Sequence, residues 1–245
     1  MLVSHRLDEV MEIASVASVL RDGRNVGSLT RGQMSEERPG ELIVGRSVDA
    51  YFPTRDTTPG AVPALELRGL CGGPVGSVDL TVRSGEIVGL AGFEESGCVE
   101  VLDLLYGLEE VEAGEVLLAG KPVIVSSTHD AVRAGFAYVP ADRPKHGLFP
   151  DMSLQANLSQ ATLGRYRRRG IGLDRRAEAA DALTDIERYN IRTPGRMTPI
   201  SELSGGNQQK SIIARWLRAD PKVLLLSDPT QGVDIGARRE LWAAI

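Results

Sequence analysis

A glycine-spaced segment near the middle of the chain is the first candidate for chemistry. The stretch VGLAGFEESGCVE, residues 88–100, places Gly92 and Gly97 at the spacing of a GxxxxGK[ST] phosphate-binding loop. In such a loop, backbone amides at a helix N-terminus surround the phosphate, a Lys adds charge, and a Ser or Thr hydroxyl holds magnesium. Here Cys98 stands at the Lys position and Val99 at the hydroxyl position. The segment from residue 92 to residue 99, called the P-loop segment below, is therefore predicted to keep the loop shape without its ligand groups.

Two acidic residues, Glu94 and Glu95, oppose phosphate binding by the same segment. Losing the Lys removes a charge-assisted hydrogen bond of roughly 1.5 to 3 kcal/mol. Each carboxylate facing a triphosphate costs about 1 to 4 kcal/mol, depending on the local dielectric. Together these terms lower ATP affinity by roughly a thousandfold or more. Taken alone, the segment is equally compatible with an ordinary strand–turn–helix that never bound a ligand.

A second glycine-containing segment lies near the C-terminal end. LSGGNQQK begins at Leu203 and opens a predicted helix, and the apolar run KVLLL with SDPTQGVD follows it. Alone, LSGG is a glycine-rich helix start, but the ordered pair is more specific. In these segments the chain resembles the ATP-binding cassette (ABC) family, and within it the double-cassette ATPases of ribose, galactose and xylose type sugar importers.

The resemblance implies two cassettes that face each other, with each ATP between the P-loop of one and the signature loop of the other. The signature loop here is residues 203–208, whose Ser204 hydroxyl and Gly205 and Gly206 amides would clamp the γ-phosphate of ATP on the first cassette. Nucleotide-binding positions implied in this way are Gly92, Gly97, Leu203, Ser204, Gly205, Gly206, Asn207, Gln208 and Asp234.

The resemblance also implies which catalytic groups remain. His5, in SHRLDEV, resembles the switch histidine that contacts the γ-phosphate at the first site. Asp228 replaces the usual catalytic Glu, and Ser227 replaces the Asp that would bind magnesium through water, so no metal ligand is expected in this chain. ATP and Mg²⁺ are therefore expected at a composite site with a partner cassette. The chain alone is expected to be inactive or strongly impaired.

The fold expected from alternating strands and helices is α/β. The resemblance makes it a P-loop NTPase-like cassette with a mainly parallel central sheet, an antiparallel β subdomain and a helical subdomain. Residues 1–45 are expected to be the tail of a first cassette, 46–62 a Pro-rich linker, and 63–245 a second cassette truncated at its C-terminal end. A buried strand is predicted at 87–91, and a helix capped by Asp174 is predicted at 174–188.

Composition limits the classes of partner. The chain carries 33 acidic and 28 basic residues, for a net charge of −5, which disfavours nucleic acid as a partner. The resemblance implies a permease, a second cassette and indirectly a sugar-binding protein as partners, and a cytoplasmic position on the inner face of the membrane. A non-catalytic pseudo-cassette with a regulatory or structural role is the alternative.

Overall fold

The computed structural model describes residues 10, 12–21, 23–33, 42, 59–93, 95–168, 172–233 and 235–245. Strands in this part are Val16–Arg21 (β1), Arg24–Thr30 (β2), Pro63–Gly72 (β3), Val75–Arg83 (β4), Ala113–Leu118 (β5), Lys121–Val123 (β6), Phe136–Val139 (β7) and Val223–Leu226 (β8). The α-helices are Cys98–Tyr106 (α1), Thr128–Ala134 (α2), Leu154–Ser159 (α3), Arg175–Arg188 (α4), Gly205–Arg218 (α5) and Ile235–Ala244 (α6). Short 3₁₀ segments are Arg31–Gln33, Gln160–Tyr166 and Ile200–Glu202, and Arg143–Gly147 is a π-helical turn.

An antiparallel sheet in the order β4-β3-β5-β6 forms the β subdomain. Its central strand β3 buries Leu65, Leu67 and Leu70, each at most 3% exposed. These side chains join Val101 and Leu104 of α1 in one apolar cluster. The sheet therefore supports the helix that follows the P-loop segment.

A parallel pair, β7 and β8, lies between helices and carries the loops of interest at its carboxyl end. Phe136 pairs with Val223 and Val139 with Leu226, in unbroken register. Immediately beyond β8, the Ser227 N–H donates to the Val139 carbonyl over 2.9 Å. The loops that follow the two strands consequently start side by side.

Helix α5 belongs to two apolar cores at once. Ile212, Ile213 and Trp216 pack into the large core around the sheets. Ala214, together with Leu203 just before the helix, packs into a smaller core formed with α3 and α4. Because both cores fix α5, the N-terminus of this helix has a defined position relative to both subdomains.

One helix matches its sequence prediction closely. Helix α4 spans Arg175–Arg188, and the Asp174 carboxylate caps it by accepting from the N–H groups of Arg176 and Ala177 at 3.2 and 3.0 Å. The cap supplies acceptors for donors that have no partner within the helix. The predicted helix at 174–188 is confirmed.

The prediction of a buried strand at 87–91 is wrong. This segment has no regular secondary structure and forms no ladder with any described strand. Ile87 is 57% exposed, Val88 37% and Leu90 40%. Apolar composition favours a strand only where a neighbour accepts its backbone hydrogen bonds and covers its faces, and no described element does so here.

Much of the predicted domain boundary falls outside the described residues, since residues 43–58 are among those not described. The divisions at 1–45, 46–62 and 63–245 stay predictions. Within residues 10–33, β1 and β2 form an antiparallel hairpin. Among the helices of the described part, none combines the length and the apolar character required to cross a bilayer.

Candidate functional site

The P-loop segment leads into α1, and the side chains of Ser96 and Cys98 pack against its Gly92. Gly97 is the N-cap residue of α1 with φ +83°, a left-handed conformation that glycine adopts without strain. A Cβ placed on Gly92 would lie 2.2 Å from Ser96 Oγ and 3.1 Å from Cys98 Sγ. The Ser96 hydroxyl donates to Cys98 Sγ over 3.2 Å. Ser96 and Cys98 thus pack against Gly92, on the side where its Cβ would lie.

The groups near this loop are acidic. Burial raises the pKa of Asp103, which is therefore harder to ionise, and nearby Glu100 acts in the same direction. The Tyr138 hydroxyl donates to Asp103 Oδ1 over 2.9 Å. One carboxylate oxygen of Glu100 is buried with no hydrogen-bond partner among the described residues. The loop therefore stands beside carboxylates.

A nucleotide fits poorly at this position. Glu95 is exposed on the loop, and the Lys position holds Cys98. Ser227, 6% exposed, brings no carboxylate for a metal. No group of three or more His, Cys, Asp or Glu side chains suited to a metal ion occurs in the described part of the chain. The P-loop segment thus lacks the Lys and the hydroxyl of the GxxxxGK[ST] pattern, and its degeneracy as an ATP site stays a prediction.

The signature loop exposes Ser204 at the N-terminus of α5, which, like α1, has no side-chain cap. Ser204 is the N-cap residue of α5, and its side chain makes no capping hydrogen bond to the helix. Its hydroxyl accepts from Asn207 Nδ2 over 2.9 Å and lies on an exposed residue. The first N–H groups of a helix have no acceptor within it, so the N–H groups of half-buried Gly205 and buried Gly206 lie at the positive end of the helix dipole without acceptors in the helix.

Other side chains of the signature loop hold it in place. Gln208 Nε2 donates to the carbonyls of Ile200 and Leu203 over 3.2 and 3.1 Å. Asn207 Oδ1 accepts from the Arg192 N–H over 2.9 Å. Leu203 itself is 7% exposed, inside the smaller core. Of the six predicted signature residues, the first and the last two are thus engaged in supporting the loop.

The loop after β8, residues 227–233, meets the signature loop. A Cβ on Gly205 would lie 3.2 Å from the carbonyl oxygen of Gly232. Asp228 is exposed and adopts φ +39°, and its carbonyl accepts from the Gln231 N–H over 3.1 Å. The predicted catalytic Asp228 therefore lies in a tight turn, in the loop that contacts the signature glycines.

Two predicted positions, His5 and Asp234, lie outside the described residues. Their roles stay predictions. The residues that the structure does bring together are the signature glycines and the loop that carries Asp228.

Sequence reasoning missed two arginines that hold these loops. Arg143, after β7, donates from Nη1 to the Gly205 carbonyl over 2.8 Å. Arg215 of α5, 4% exposed, donates to the carbonyls of Asn157 and Gly147 at 2.6 and 2.8 Å and to Asn157 Oδ1 at 3.1 Å. Burial lowers the pKa of Arg215 to about 10, so it stays charged at neutral pH. An apolar helix face that contains an Arg was the available signal for Arg215.

A second charged contact fixes the middle of α5. Lys210, 5% exposed, donates to the Asn190 carbonyl over 2.8 Å and pairs with the Glu240 carboxylate of α6. A buried ammonium needs such partners, because desolvation disfavours its charged form. Helix α5 is thus tied to α6 as well as to both cores.

Comparison with known proteins identifies the family. The family model described as ABC transporter matches residues 75–231. The ribose import ATP-binding protein RbsA 1 of Rubrobacter xylanophilus is 42% identical over 241 residues, which are 98% of this chain and 48% of that protein. A putative ribose/galactose/methyl galactoside import ATP-binding protein 1 of Burkholderia lata is 39% identical, over 98% of this chain and 47% of its own length.

The solved structures confirm the predicted cassette fold. CbiO1 of Clostridium perfringens, described as part of the ABC transporter complex cbiONQ, superposes with a TM-score of 0.59 at 19% identity, covering 74% of this chain and 73% of its own. At such identity the likeness shows the fold alone. This chain spans about half the length of the curated relatives it matches. From the family model and these relatives together, it follows that the chain belongs to the ABC transporter family.

Proposed function

We propose that this chain forms part of the ATP-binding component of a carbohydrate importer, which couples ATP binding and hydrolysis to sugar uptake across a membrane. Relatives that match nearly the whole chain are named for import of ribose, or of ribose, galactose and methyl galactoside. The family match covers both glycine segments at least in part. Which sugar is carried is left open by these names.

One observation carries the proposal: the uncapped N-terminus of α5 begins at an exposed Ser204, whereas in the loop before α1 Ser96 lies against Gly92 and bonds Cys98 at the Lys position. In the proposed composite site, ATP and Mg²⁺ are held by the P-loop of a partner cassette. This chain contributes the Ser204 hydroxyl and the N–H groups of Gly205 and Gly206, which stabilise the negative charge of a γ-phosphate. Asp234 and His5 would complete the interface on this side.

The chain's own P-loop site is proposed to be degenerate. Its acidic surroundings, the missing Lys and the Ser227 substitution all weaken binding of a magnesium–triphosphate complex. Hydrolysis by the chain alone would therefore be absent or strongly impaired. Asp228 is one methylene shorter than the usual catalytic Glu. Because the chain's own P-loop site is proposed to bind no nucleotide, Asp228 would have no substrate there.

The partners follow from the same function. A permease and a second cassette would bind this chain directly, and a sugar-binding protein would act through the permease. The chain would then lie in the cytoplasm on the inner face of the membrane. In this arrangement residues 1–45 belong to the tail of the first cassette, 46–62 link the two cassettes, and 63–245 belong to the second.

A reconstituted ATPase tests the proposal. The half of the Rubrobacter xylanophilus relative that this chain does not match is produced separately and mixed with this chain and magnesium ATP. We expect this chain to stimulate hydrolysis. Ser204→Glu should reduce the stimulation more than about tenfold, since a carboxylate at this exposed position repels phosphate but favours the helix N-terminus.

The matched variant is Cys98→Ala, which alters the other glycine loop and should leave stimulation unchanged. Full stimulation by Ser204→Glu, or its loss in Cys98→Ala, would contradict the proposal. The filled P-loop segment also favours a second candidate, a pseudo-cassette that binds its partners without contributing to turnover. Association of the two polypeptides with no stimulation of hydrolysis would support that candidate instead.

A further inference from the structure

The side chain of Arg143 spans two loops that are far apart in sequence. Its Nη1 donates to the Gly205 carbonyl over 2.8 Å, and its Nη2 donates to the Gly232 carbonyl over 3.5 Å. Gly205 opens α5 at the signature loop, and Gly232 lies in the loop after β8. A planar guanidinium with separate Nη1 and Nη2 donors suits this double contact, whereas an ammonium carries its three donors on a single nitrogen.

The two glycines fit closely beneath the guanidinium. A Cβ on Gly232 would lie 2.9 Å from Arg143 Nη2, and Gly232 has φ +61°. A Cβ on Gly205 would lie 3.2 Å from the Gly232 carbonyl oxygen and 3.6 Å from both terminal nitrogens of Arg143. Side chains at either position would push the loops or the arginine apart. The contact therefore depends on glycine on both sides.

The backbone around Arg143 is itself anchored. The Asp142 carboxylate accepts from the Lys145 N–H over 3.2 Å and caps the π-helical turn. At the other end of the turn, the Gly147 carbonyl accepts from buried Arg215 of α5. Arg143 consequently reaches toward α5 from a turn that α5 already holds.

The charge of Arg143 also faces the loop after β8. Burial lowers the pKa of Arg143, and the negative charge of Asp228 acts in the opposite direction. The guanidinium remains protonated at neutral pH, because arginine does not lose its proton in proteins. Its charge therefore strengthens both hydrogen bonds and attracts Asp228.

We propose that Arg143 is a positioning residue, which fixes the signature loop against the loop after β8 so that their backbone groups face a nucleotide on the partner cassette together. The inference rests on the proposed function for its catalytic consequence. Arg143 itself touches no nucleotide in this arrangement. It acts through the Gly205 and Gly232 carbonyls.

Hydrogen exchange on the full chain without nucleotide tests whether Arg143 fixes the signature loop against the loop after β8. The reporters are the N–H groups of Gln208, Gln231 and Val233, which donate to Ser204, Asp228 and Thr230 carbonyls. In Arg143→Gln, all three should exchange roughly tenfold faster, a factor equal to about 1.4 kcal/mol, while β3 and β4 keep their protection. Arg143→Lys carries its donors on a single nitrogen. It should restore protection either in the signature loop or in the loop after β8, but not in both.

Lys145→Gln is the matched control, because it removes a positive charge from an exposed side chain of the same turn. It should leave all three amides unchanged. Unchanged exchange in Arg143→Gln, or faster exchange in one loop only, would overturn the proposal. Uniformly faster exchange, including β3 and β4, would also overturn it, since that pattern indicates general destabilisation.

The reconstituted ATPase tests the catalytic half. Arg143→Gln should lower kcat roughly tenfold and leave the KM for ATP within about twofold, because the residue orients groups without contacting substrate. A rise in KM at constant kcat would contradict positioning. If the wild-type chain fails to stimulate hydrolysis, the proposed function fails, and the exchange measurement still decides whether Arg143 links the two loops.

Discussion

Two glycine-containing loops open helices in this molecule, and although neither helix has a side-chain cap at its N-terminus, the two loops differ in their neighbouring side chains. Before α1, the Ser96 side chain lies against Gly92 and bonds Cys98. Before α5, Ser204 leaves the first N–H groups without a side-chain cap. We propose that the glycine-containing loop before α1 only supports the fold, whereas the one before α5 provides N–H donors to a nucleotide. A glycine pattern predicts loop shape, whereas the neighbouring side chains decide whether a ligand fits.

The two helices also differ in how they are anchored. Helix α5 contributes to both cores and is held by the buried Arg215 and Lys210. Helix α1 packs on the large core, and its Asp103 bonds Tyr138. The helix proposed to meet a nucleotide is the more heavily fixed one, as orientation of donors requires.

The largest expected effect comes from removing the anchor of α5. Arg215→Met removes a donor from three acceptors, of which Asn157 Oδ1 keeps the Phe149 N–H, and should lower the free energy of unfolding by about 3 to 5 kcal/mol. Urea denaturation followed by circular dichroism measures it. Arg176→Met on exposed α4 surface is the control and should stay within about 0.5 kcal/mol. Equal free energies of unfolding for the two variants would contradict the claim that buried Arg215 anchors α5.

A smaller effect is expected in the filled loop. Gly97→Ala puts a Cβ on a residue with φ +83°, although Val75 leaves it ordinary contact room at 3.5 Å. Left-handed strain alone should cost about 1 to 2 kcal/mol in the free energy of unfolding. Gly164→Ala, at ordinary φ with open space, is the comparison. A neutral Gly97→Ala would mean that the loop relaxes freely and that its shape is not fixed.

The smallest expected effect concerns pH. Burial raises the folded-state pKa of Asp103 above its ordinary value of 3.8, so the folded chain binds more protons than the unfolded chain in that window. The free energy of unfolding therefore falls as pH rises from about 3.8 through the folded pKa. Asp103→Asn keeps an acceptor for Tyr138 and should reduce this fall.

Denaturation of Asp103→Asn and wild type at pH 4 and pH 7 measures the difference. The exposed Asp151→Asn variant should follow the wild-type pH dependence. A steeper fall in Asp103→Asn than in wild type would show that the carboxylate is stabilised in its charged form, and the acidic character assigned to this pocket would be incorrect.

The sequence was most informative where a local rule decides the structure. Helix α4 begins after Asp174 because the carboxylate caps it, and this rule needs no distant partner. The prediction of a strand at 87–91 was wrong because a strand depends on neighbouring strands that its own composition does not specify. Its residues are instead exposed, with Leu90 at 40%.

The glycines of the candidate site could be predicted from the sequence, but the side chains that hold its loops in place could not. Gly205 and Ser204 follow from the LSGG pattern. Arg143 bonds carbonyls 62 and 89 residues away, and those acceptors are backbone atoms that any residue carries. No residue type along the chain marks such a contact, so only the three-dimensional arrangement shows it.

Calorimetric titration of magnesium ATP into the isolated chain tests the central contrast most directly. The P-loop segment holds Ser96 against Gly92 and has no Lys, so we predict no saturable binding below about 1 mM. Magnesium-dependent binding in the micromolar range by the chain alone would contradict the account, because it would place a nucleotide in the pocket described as filled.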